Sequence, residues 1–175
     1  MKNVIITGAS RGIGFDLLKL FNNENYNVFA LSRNISNISS FKNVNSIVTD
    51  LSSPESIGSS VEIINNKIDS VDILINNAGF LINKPFKHTT FSDFESVYKV
   101  NVFGLAELIR LIIPKLNSQS HIVNISSIGG ISGTSKFPGL SAYSSSKGAL
   151  NILTEMLSEE FKEIINKINT LALGA

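Results

Sequence analysis

At residues 4–14 the sequence reads VIITGASRGIG, an apolar run that enters a glycine-rich turn, and FDLLKLF follows at 15–21. Gly8 can take the backbone angles of a tight turn, Gly12 has no side chain to block a ligand, and Gly14 lets a helix lie close to the strand. Because a helix N-terminus offers free N–H groups and partial positive charge, the stretch predicts a strand–turn–helix unit that can hold a phosphate. The G-x-x-x-G-x-G spacing is less common than G-x-G-x-x-G, and by itself it also fits an ordinary glycine turn.

The composition fits one soluble domain with a real core. The chain has 175 residues, of which 43% are hydrophobic and 17% are charged. Fifteen basic residues nearly balance fourteen acidic ones, so no basic field points to nucleic acid or to an anionic membrane. The absence of cysteine excludes disulfides and thiolate chemistry. No apolar run approaches a membrane span or a signal-peptide core, so we expect a cytoplasmic location. Asparagine is abundant, which we interpret as compositional bias.

Apolar runs and helical periodicity alternate along the rest of the chain. Strands are predicted at 3–7, 27–32, 44–48, 71–75, 121–126 and 167–173. Helices are predicted at 12–23, from Pro54 to about 67, from 92 to 116 as a short helix leading into a long one, and at 142–165. The stretch 129–140 holds four glycines and one proline, which predicts a long mobile loop.

The order of these elements predicts the fold class. Continuous apolar strands joined by helices indicate a parallel sheet covered on both faces. Right-handed crossovers then give a Rossmann-like, doubly wound α/β fold, in which ligands bind beyond the carboxyl ends of the strands. No repeat or linker divides the chain, so a single domain over 1–175 is expected. The first helix is expected to bury one apolar face, formed by Ile13, Leu17, Leu18, Leu20 and Phe21.

Polar residues interrupt the apolar pattern where the predicted strands end. They are Thr7-Gly8, Ser32-Arg33, Asp50, Asn76–Gly79 and Ser126-Ser127. Any one of these groups could simply cap the next helix or make a turn. Since the carboxyl ends of parallel strands open into one crevice, the five together indicate a binding site there.

A tyrosine and a lysine at i and i+4, Tyr143 and Lys147, share one face of the last predicted helix. A free tyrosine titrates near pH ~10, and a neighbouring ammonium group favours the phenolate. A tyrosine with a lowered pKa can exchange a proton at neutral pH. Such pairs are also common on exposed helix faces, so this pair alone does not define a site.

Together these motifs closely resemble the short-chain dehydrogenase/reductase family, of the short, non-extended type. The resemblance rests on Thr7-Gly8-(x3)-Gly12-Ile13-Gly14, Asn76–Gly79, Asn101, Ser127 and Tyr143-(x3)-Lys147, in that order, and it extends over the whole chain. It implies a single NAD(P)-binding Rossmann domain. The cofactor-binding residues that it implies are Gly8, Ser10, Arg11, Gly12, Ile13, Gly14, Arg33, Asp50, Leu51, Asn77, Ala78, Gly79, Tyr143 and Lys147.

The resemblance also implies a reaction, namely hydride transfer between a nicotinamide and a carbonyl or alcohol substrate of ketone, aldehyde or 3-oxoacyl type. Ser127 would bond the substrate oxygen and Tyr143 would supply the proton. Lys147 would lower the pKa of Tyr143 and hold the nicotinamide ribose, while Asn101 would hold a water for proton relay. Residues 134–139 look like an insertion beside the substrate.

NADP is favoured over NAD. An NAD enzyme usually has an acidic residue at the end of the second strand, to bond the ribose 2′-hydroxyl. Here that position is Ser32, followed by Arg33, and Arg11 supplies a second cation. Guanidinium groups suit a 2′-phosphate. The alternative is that both arginines are simply solvated.

The resemblance is incomplete at the C-terminus. Members of the family continue past the sixth strand, and here Leu173 stands where proline is usual. We therefore expect that the C-terminal part is missing from this chain. This leaves open an alternative function, a catalytically silent dinucleotide-binding sensor or scaffold protein. The helices near 100–116 and 142–165 resemble those that form subunit interfaces in the family, which implies a homodimer or homotetramer.

Overall fold

Six parallel strands form the centre of the computed structural model, which describes residues 1–165 and 167–174. Their order across the sheet is β3-β2-β1-β4-β5-β6. The strands are β1 (Asn3–Thr7), β2 (Asn27–Ser32), β3 (Val44–Val48), β4 (Ile73–Asn76), β5 (His121–Ser127) and β6 (Lys167–Leu173). Residues 166 and 175 of the predicted domain lie outside the described residues. The parallel, doubly wound architecture confirms the predicted fold class.

Helices cross over both faces of the sheet. They are α1 (Gly12–Asn23), α2 (Pro54–Asn65), α3 (Phe91–Tyr98), α4 (Leu105–Ile112) and α5 (Ser141–Glu160). Shorter turns lie at Phe86–His88, Ile113–Lys115 and Ile128–Gly130, all 3-10, and a π-helical turn at Lys99–Gly104 joins α3 to α4. The cap of α2 agrees with its sequence, since the Ser53 hydroxyl accepts a bond from Ser56 N–H at 3.1 Å and Pro54 follows the cap.

Alternate residues of β1 bury into opposite faces of the sheet, as the period of two requires. Ile5 belongs to the larger core cluster, together with Leu74 of β4 and Leu108 of α4. Val4 and Ile6 belong to the second cluster on the other face, which includes Leu18 of α1. Burying a large aliphatic side chain contributes about 1.5–3 kcal/mol, so the two covered faces account for much of the stability.

Three predicted helices differ from the observed ones. The predicted helix 92–116 is interrupted by the π-helical turn and ends in a 3-10 turn. A Cβ added at Gly104 would lie 1.8 Å from the Leu51 carbonyl oxygen, so this turn packs backbone to backbone on the loop after β3. The predicted helix 142–165 ends at Glu160, because the chain turns to bury Ile165. Helix α2 ends at Asn65, two residues before the predicted end.

The predicted apolar face of α1 is wrong in part. Leu18 is fully buried against the sheet, and Gly14 is buried beside it. Ile13 and Leu20, however, are 51% and 55% exposed. The helix approaches the sheet through Gly14 and Leu18, which turns Ile13 toward the crevice and Leu20 toward solvent.

A chain of side-chain hydrogen bonds crosses the opposite, amino-terminal ends of three strands. Lys67 Nζ donates to Asn45 Oδ1 at 2.8 Å, and Asn45 Nδ2 donates to Asn27 Oδ1 at 2.9 Å. Asn27 Nδ2 donates to Asn3 Oδ1 at 2.9 Å, and Asn3 Nδ2 donates to the Ser70 carbonyl at 2.9 Å. We call these residues the asparagine ladder. They connect β3, β2 and β1 side by side, so part of the asparagine bias has a structural cause.

Candidate active site

A cleft of about 1140 Å³ lies at the carboxyl ends of β1 to β4. The predicted cofactor-binding residues that line it are Gly8, Ser10, Arg11, Gly12, Ile13, Arg33, Asp50, Leu51, Asn77, Ala78 and Gly79. Gly14 lies beneath the glycine loop instead. The structure thus gathers eleven of the fourteen predicted residues around one opening.

The glycine loop fits a bound phosphate. Gly8 and Gly12 have φ angles of +67° and +54°, in the left-handed region that favours glycine. A Cβ added at Gly14 would lie 2.3 Å from the Gly8 carbonyl oxygen, so only glycine allows α1 to begin this close to β1. Among the described residues, apart from its chain neighbours and the backbone of α1, no heavy atom would lie within 4 Å of a Cβ at Gly12, so this face of the loop is open to a ligand.

The start of α1 leaves donors for that ligand. Its N-cap is Arg11, whose side chain makes no capping hydrogen bond to any residue that the structure describes. The first N–H groups of a helix need an acceptor from outside the helix. An anion such as a dinucleotide pyrophosphate would satisfy them, and the partial positive charge of the helix end favours it.

The segment after β4 is fastened to the glycine loop. Asn77 Nδ2 donates to the Thr7 carbonyl at 3.0 Å and to the Gly8 carbonyl at 3.3 Å. The Ala78 N–H donates to Thr7 Oγ1 at 3.0 Å. These bonds fix the relative position of two strand ends that are about 70 residues apart in sequence.

Ser127, Tyr143 and Lys147 lie beside one another, beyond the Gly79 end of the cleft. Ser127 ends β5, and its hydroxyl lies near enough to Tyr143, in the first turn of α5, to lower the pKa of the phenol. Lys147 Nζ lies 5.8 Å from the centre of the Tyr143 ring. A Cβ added at Gly79 would be 3.7 Å from Lys147 Nζ, so the missing side chain leaves the ammonium group open toward the cleft.

Burial shifts the pKa values of both Tyr143 and Lys147. Burial raises the pKa of Tyr143, and the hydrogen bond with Ser127 acts in the opposite direction. Lys147 is not among the groups that shift the pKa of Tyr143 in this structure, so its lowering of that pKa stays a prediction. Lys147 Nζ donates at 2.7 Å to the Ile125 carbonyl. Burial in turn lowers the pKa of Lys147 from 10.5 to about 8.

Asn101 is fully buried in the π-helical turn, and its amide has several partners. Its Oδ1 accepts a bond from Phe80 N–H at 2.7 Å, and its Nδ2 donates to the Phe80 carbonyl at 2.9 Å. The same Nδ2 donates to Ser146 Oγ at 2.9 Å. The side chain therefore ties the segment after β4 to α5. Its role in holding a water for proton relay stays a prediction.

The end of the cleft formed by β2 and β3, where the sequence predicts the adenosine of a dinucleotide, combines hydroxyls with cations. Ser32 Oγ donates to Ser10 Oγ at 2.7 Å, and Arg33 is exposed beside them. Asp50 accepts bonds from Ser52 N–H at 2.9 Å and Ser52 Oγ at 2.7 Å. These bonds, and to a lesser degree the charge of Arg33, lower the pKa of Asp50. Asp50 is therefore a carboxylate acceptor at neutral pH.

Two loops near the predicted substrate position contact each other. Lys84 N–H donates to the Gly139 carbonyl at 2.8 Å, which joins the loop after β4 to the predicted insertion 134–139. Lys84 Nζ bonds the Asp93 carboxylate at 2.6 Å. That bond, with two from Thr90, holds the pKa of Asp93 at about 2. The start of the predicted mobile loop is the ordered 3-10 turn Ile128–Gly130.

Sequence reasoning missed several residues of the site. The cleft is also lined by Asn34, Asn37, Phe80, Ser96 and Lys99. Asn37 Nδ2 donates to the Ser10 carbonyl at 2.7 Å, so it supports the glycine loop from the segment after β2. No sequence motif includes these positions, because they reach the cleft through the packing of the loop after β2, of the loop after β4 and of α3 with the π-helical turn.

A family model described as short chain dehydrogenase matches residues 2–175. The chain belongs to the short-chain dehydrogenase family. The family assignment made from the sequence is thereby confirmed, and it identifies the chain as a member of an oxidoreductase family.

Two relatives illustrate the match. An oxidoreductase from Staphylococcus saprophyticus is 27% identical, and the alignment covers 99% of this chain and 77% of that protein. The ketoacyl reductase HetN from Nostoc is 30% identical over 91% of this chain and 58% of its own length. The chain thus spans between about half and three quarters of these relatives.

Solved structures agree on the architecture. A short-chain dehydrogenase from Streptomyces avermitilis superposes with a TM-score of 0.91 at 30% identity, covering 99% of this chain and 65% of that one. A 4-hydroxyisoleucine dehydrogenase complexed with NADH gives 0.88 at 30% identity, with 98% and 72% covered. RhlG from Pseudomonas aeruginosa, in a complex with NADP, gives 0.87 at 28% identity, with 98% and 71% covered.

The geometry of this family member suits proton transfer next to a dinucleotide cleft. A hydroxyl group, a phenol and a buried ammonium group lie together just beyond one end of the cleft, and the start of α1, whose N-cap side chain makes no capping hydrogen bond within the described structure, lines the cleft. Among the described residues, no group of acidic, histidine or cysteine side chains could hold a metal ion, and no helix is long and apolar enough to cross a membrane.

Proposed function

We propose that this chain carries the active site of an NADP-dependent oxidoreductase that interconverts a carbonyl and an alcohol, with a ketone, aldehyde or 3-oxoacyl substrate. The observation that carries the proposal is the contact of Ser127 with Tyr143 beside Lys147, next to a dinucleotide-sized cleft. When bound there, the nicotinamide supplies or accepts the hydride, and the protein supplies placement, proton and electrostatics.

Ser127 and Tyr143 would act on the substrate oxygen during reduction. The Ser127 hydroxyl donates a hydrogen bond that strengthens as the oxygen gains negative charge, and such a bond lowers the barrier. Tyr143 delivers the proton to the same oxygen. Since burial raises the pKa of Tyr143, the phenol is protonated at neutral pH and ready to donate.

Lys147 would restore the proton to Tyr143. Its pKa of about 8 is close to neutral pH, which is where a group gives up and regains a proton most readily. Lys147 would also bond the nicotinamide ribose across the space left by Gly79. Asn101 would support this end of the site and hold the relay water.

The other predicted residues would hold the dinucleotide. The pyrophosphate would lie on the N–H groups at the start of α1, above Gly12. The adenine would contact Asp50 and Leu51, and the segment Asn77–Gly79 would lie under the adenosine ribose. The cleft volume and the absence of a cap on α1 in the described structure both support this arrangement.

The substitution Tyr143→Phe tests the reaction. We expect it to remove turnover of a carbonyl panel with NADPH, while the fluorescence of bound NADPH still reports binding. Tyr98→Phe is the matched control, because Tyr98 lies on α3, outside the site. Near-normal turnover by Tyr143→Phe would refute the proposed reaction. If the unmodified chain binds NADPH and turns over no carbonyl, the alternative of a silent dinucleotide-binding sensor or scaffold is favoured.

The preference for NADP rests on charge at the end of β2. Ser32 occupies the position of the usual acidic residue, and Arg11 and Arg33 are exposed at the cleft. We expect Arg33→Asp to shift the ratio of NADPH to NADH turnover toward NADH, because a carboxylate repels a 2′-phosphate. Arg110→Asp, on α4 and away from the cleft, is the control. An unchanged ratio in Arg33→Asp would contradict the preference.

Self-association through the helices predicted near 100–116 and 142–165 is proposed on exposed apolar side chains. Phe103, Ile152 and Met156 are about 60% exposed on the π-helical turn and on α5. Apolar surface of this kind favours association. Sedimentation of the wild-type chain and of Ile152→Glu tests it: we expect a dimer or tetramer that the glutamate dissociates. A monomeric wild type would contradict it. The cytoplasmic location expected from the sequence also stays a prediction.

A further inference from the structure

The turn that follows Ser127 lies directly against the helix that carries Tyr143 and Lys147. A Cβ added at Gly130 would lie 2.6 Å from both the Gly148 nitrogen and the Lys147 carbonyl carbon, and 2.9 Å from Lys147 Cβ. Real Cβ atoms essentially never come within 3.0 Å of heavy atoms outside their own residue and its chain neighbours. The turn therefore packs on the backbone of α5 at the position of Lys147, and a side chain at residue 130 would have to displace it.

Asn151, on the next turn of α5, stabilises this contact with a hydrogen bond. Asn151 Nδ2 donates to the Gly130 carbonyl at 3.2 Å. The same carbonyl would lie 3.3 Å from a Cβ at Gly148, so a second glycine lets the two backbones meet. On the strand side, Ser126 Oγ donates to the Lys147 carbonyl at 3.3 Å. The end of β5 and the middle of α5 are thus fastened together on both sides of Ser127.

Steric contact with α5, and not backbone strain, is the reason that a glycine suits position 130. In the described part of the chain, the glycines with positive φ angles are Gly8, Gly12, Gly133 and Gly139. Gly130 is not one of them, so an alanine there meets no conformational penalty of the left-handed region. The only obstacle to a side chain is the space against α5.

We propose that Gly130 and Asn151 are positioning residues that set the separation of Ser127 from Tyr143. The inference rests on the proposed function, because it concerns the geometry of the same site. Neither residue lines the cleft. Gly130 determines how closely the turn approaches α5, and Asn151 holds it there. If α5 moves outward by a fraction of an ångström at Lys147, then Tyr143, one helical turn away, moves away from the Ser127 hydroxyl.

Gly130→Ala tests the steric part. Misplacement by about 1 Å can cost about a hundredfold in rate, so we expect kcat to fall by about tenfold or more with NADPH affinity unchanged. Gly58→Ala in α2 is the matched control, since no described atom would lie within 4 Å of its Cβ. Unchanged kcat in Gly130→Ala, with the unmodified chain active, would overturn the proposal.

A titration that needs no turnover separates this inference from the proposed reaction. The chain has three tyrosines and no tryptophan, so the ultraviolet absorbance of tyrosinate, compared with that of Tyr143→Phe, reports the pKa of Tyr143. Loss of the Ser127 hydrogen bond in Gly130→Ala should raise this pKa. Lys147 faces the phenol and is present in every variant, and with a pKa of about 8 it has already lost its proton where the phenol titrates. An unchanged Tyr143 titration would overturn the positioning role even if no carbonyl substrate is found.

Asn151→Ala gives the same test without adding bulk, and it decides the question if Gly130→Ala does not fold. It removes the donor to Gly130 together with a buried Oδ1 that has no partner among the described residues. We expect kcat to fall, the substrate KM to stay unchanged, and the Tyr143 pKa to rise. Asn151→Gln keeps an amide donor and should restore part of both changes. If Asn151→Ala loses stability while kcat and the Tyr143 pKa stay unchanged, Asn151 has only a structural role and the proposal is overturned.

Discussion

Lys147 carries a charge in a part of the molecule that water hardly reaches, since the residue is 3% exposed. Its ammonium has the Ile125 carbonyl as a hydrogen-bond partner at 2.7 Å. Burial disfavours the charged form of a lysine, which is why the pKa falls from 10.5 to about 8. We therefore predict that the substitution Lys147→Met changes how the stability of the protein depends on pH.

The sign and size of this pH dependence follow from the proton that Lys147 takes up on unfolding. Below pH 8 the folded and unfolded chains both carry the charge, so the folded state bears the full cost of burying it. Between pH 8 and 10.5 the folded lysine is neutral and the unfolded one is protonated, so unfolding takes up a proton and rising pH stabilises the folded state. An increase of one pH unit in this range raises the free energy of unfolding by about 1.4 kcal/mol, so the rise from pH 8 to pH 10.5 is roughly 3 kcal/mol.

Urea unfolding at a series of pH values provides the assay. The free energy of unfolding of the wild type, minus that of Lys147→Met, should rise by roughly 3 kcal/mol as the pH passes from below 8 to above 10.5. Methionine cannot donate a hydrogen bond to the Ile125 carbonyl. That loss changes the difference in unfolding free energy by the same amount at every pH, so the dependence of the difference on pH is unaffected. Both proteins should carry Tyr143→Phe, so that the neighbouring phenol does not titrate in the same range.

Replacement of an exposed lysine, as in Lys99→Met, controls for the loss of one positive charge. A difference that stays constant within about 0.5 kcal/mol across the window, or that falls as the pH rises, would refute the reasoning. In that case the Lys147 ammonium would be stabilised in the folded state as well as it is in water.

Gly14→Ala should weaken NADPH binding by about tenfold or more and destabilise the fold by about 1–3 kcal/mol, because its Cβ would lie 2.3 Å from the Gly8 carbonyl oxygen. Calorimetric titration and thermal unfolding measure the two effects, and wild-type affinity would contradict the first. Asn27→Ala should destabilise the protein by about 1–3 kcal/mol, because it breaks the asparagine ladder and leaves Asn3 Oδ1 and Asn45 Nδ2 without their partner. An unfolding free energy within about 0.5 kcal/mol of wild type would show that water replaces the ladder.

Local pattern was enough to predict most of the elements. The apolar runs of β1, β2 and β3 have the predicted bounds, and the Ser53-Pro54 start of α2 is where its capping residues indicate. Errors are concentrated at helix ends and at the π-helical turn. That turn exists because Gly104 packs on Leu51, a residue more than 50 positions away, and no local periodicity encodes such a contact.

Most of the cleft could also be predicted, since its residues follow directly after strands whose carboxyl ends must meet. The contributions of Asn37 and Phe80 could not, because they reach the site through loops whose path is set by packing. The direction in which the Lys147 side chain points could not be predicted from the sequence either. Spacing places it one helical turn from Tyr143, but only the approach of α5 to β5 gives its ammonium the Ile125 carbonyl as a partner.

The sequence by itself determined the alternation of strands and helices, the glycine turn before α1, and the residues available at the strand ends, because each of these depends on neighbours a few positions apart. Tertiary structure alone decided how far Ser127 lies from Tyr143, which carbonyl the Lys147 ammonium bonds, and which asparagines form a ladder. These depend on distances of a few tenths of an ångström between segments far apart in the chain. The opening VIITGASRGIG stretch belongs to both groups: its glycines are evident in the sequence, but the close approach that makes a side chain at Gly14 costly, 2.3 Å from a Cβ to the Gly8 carbonyl oxygen, exists only once α1 is packed on β1.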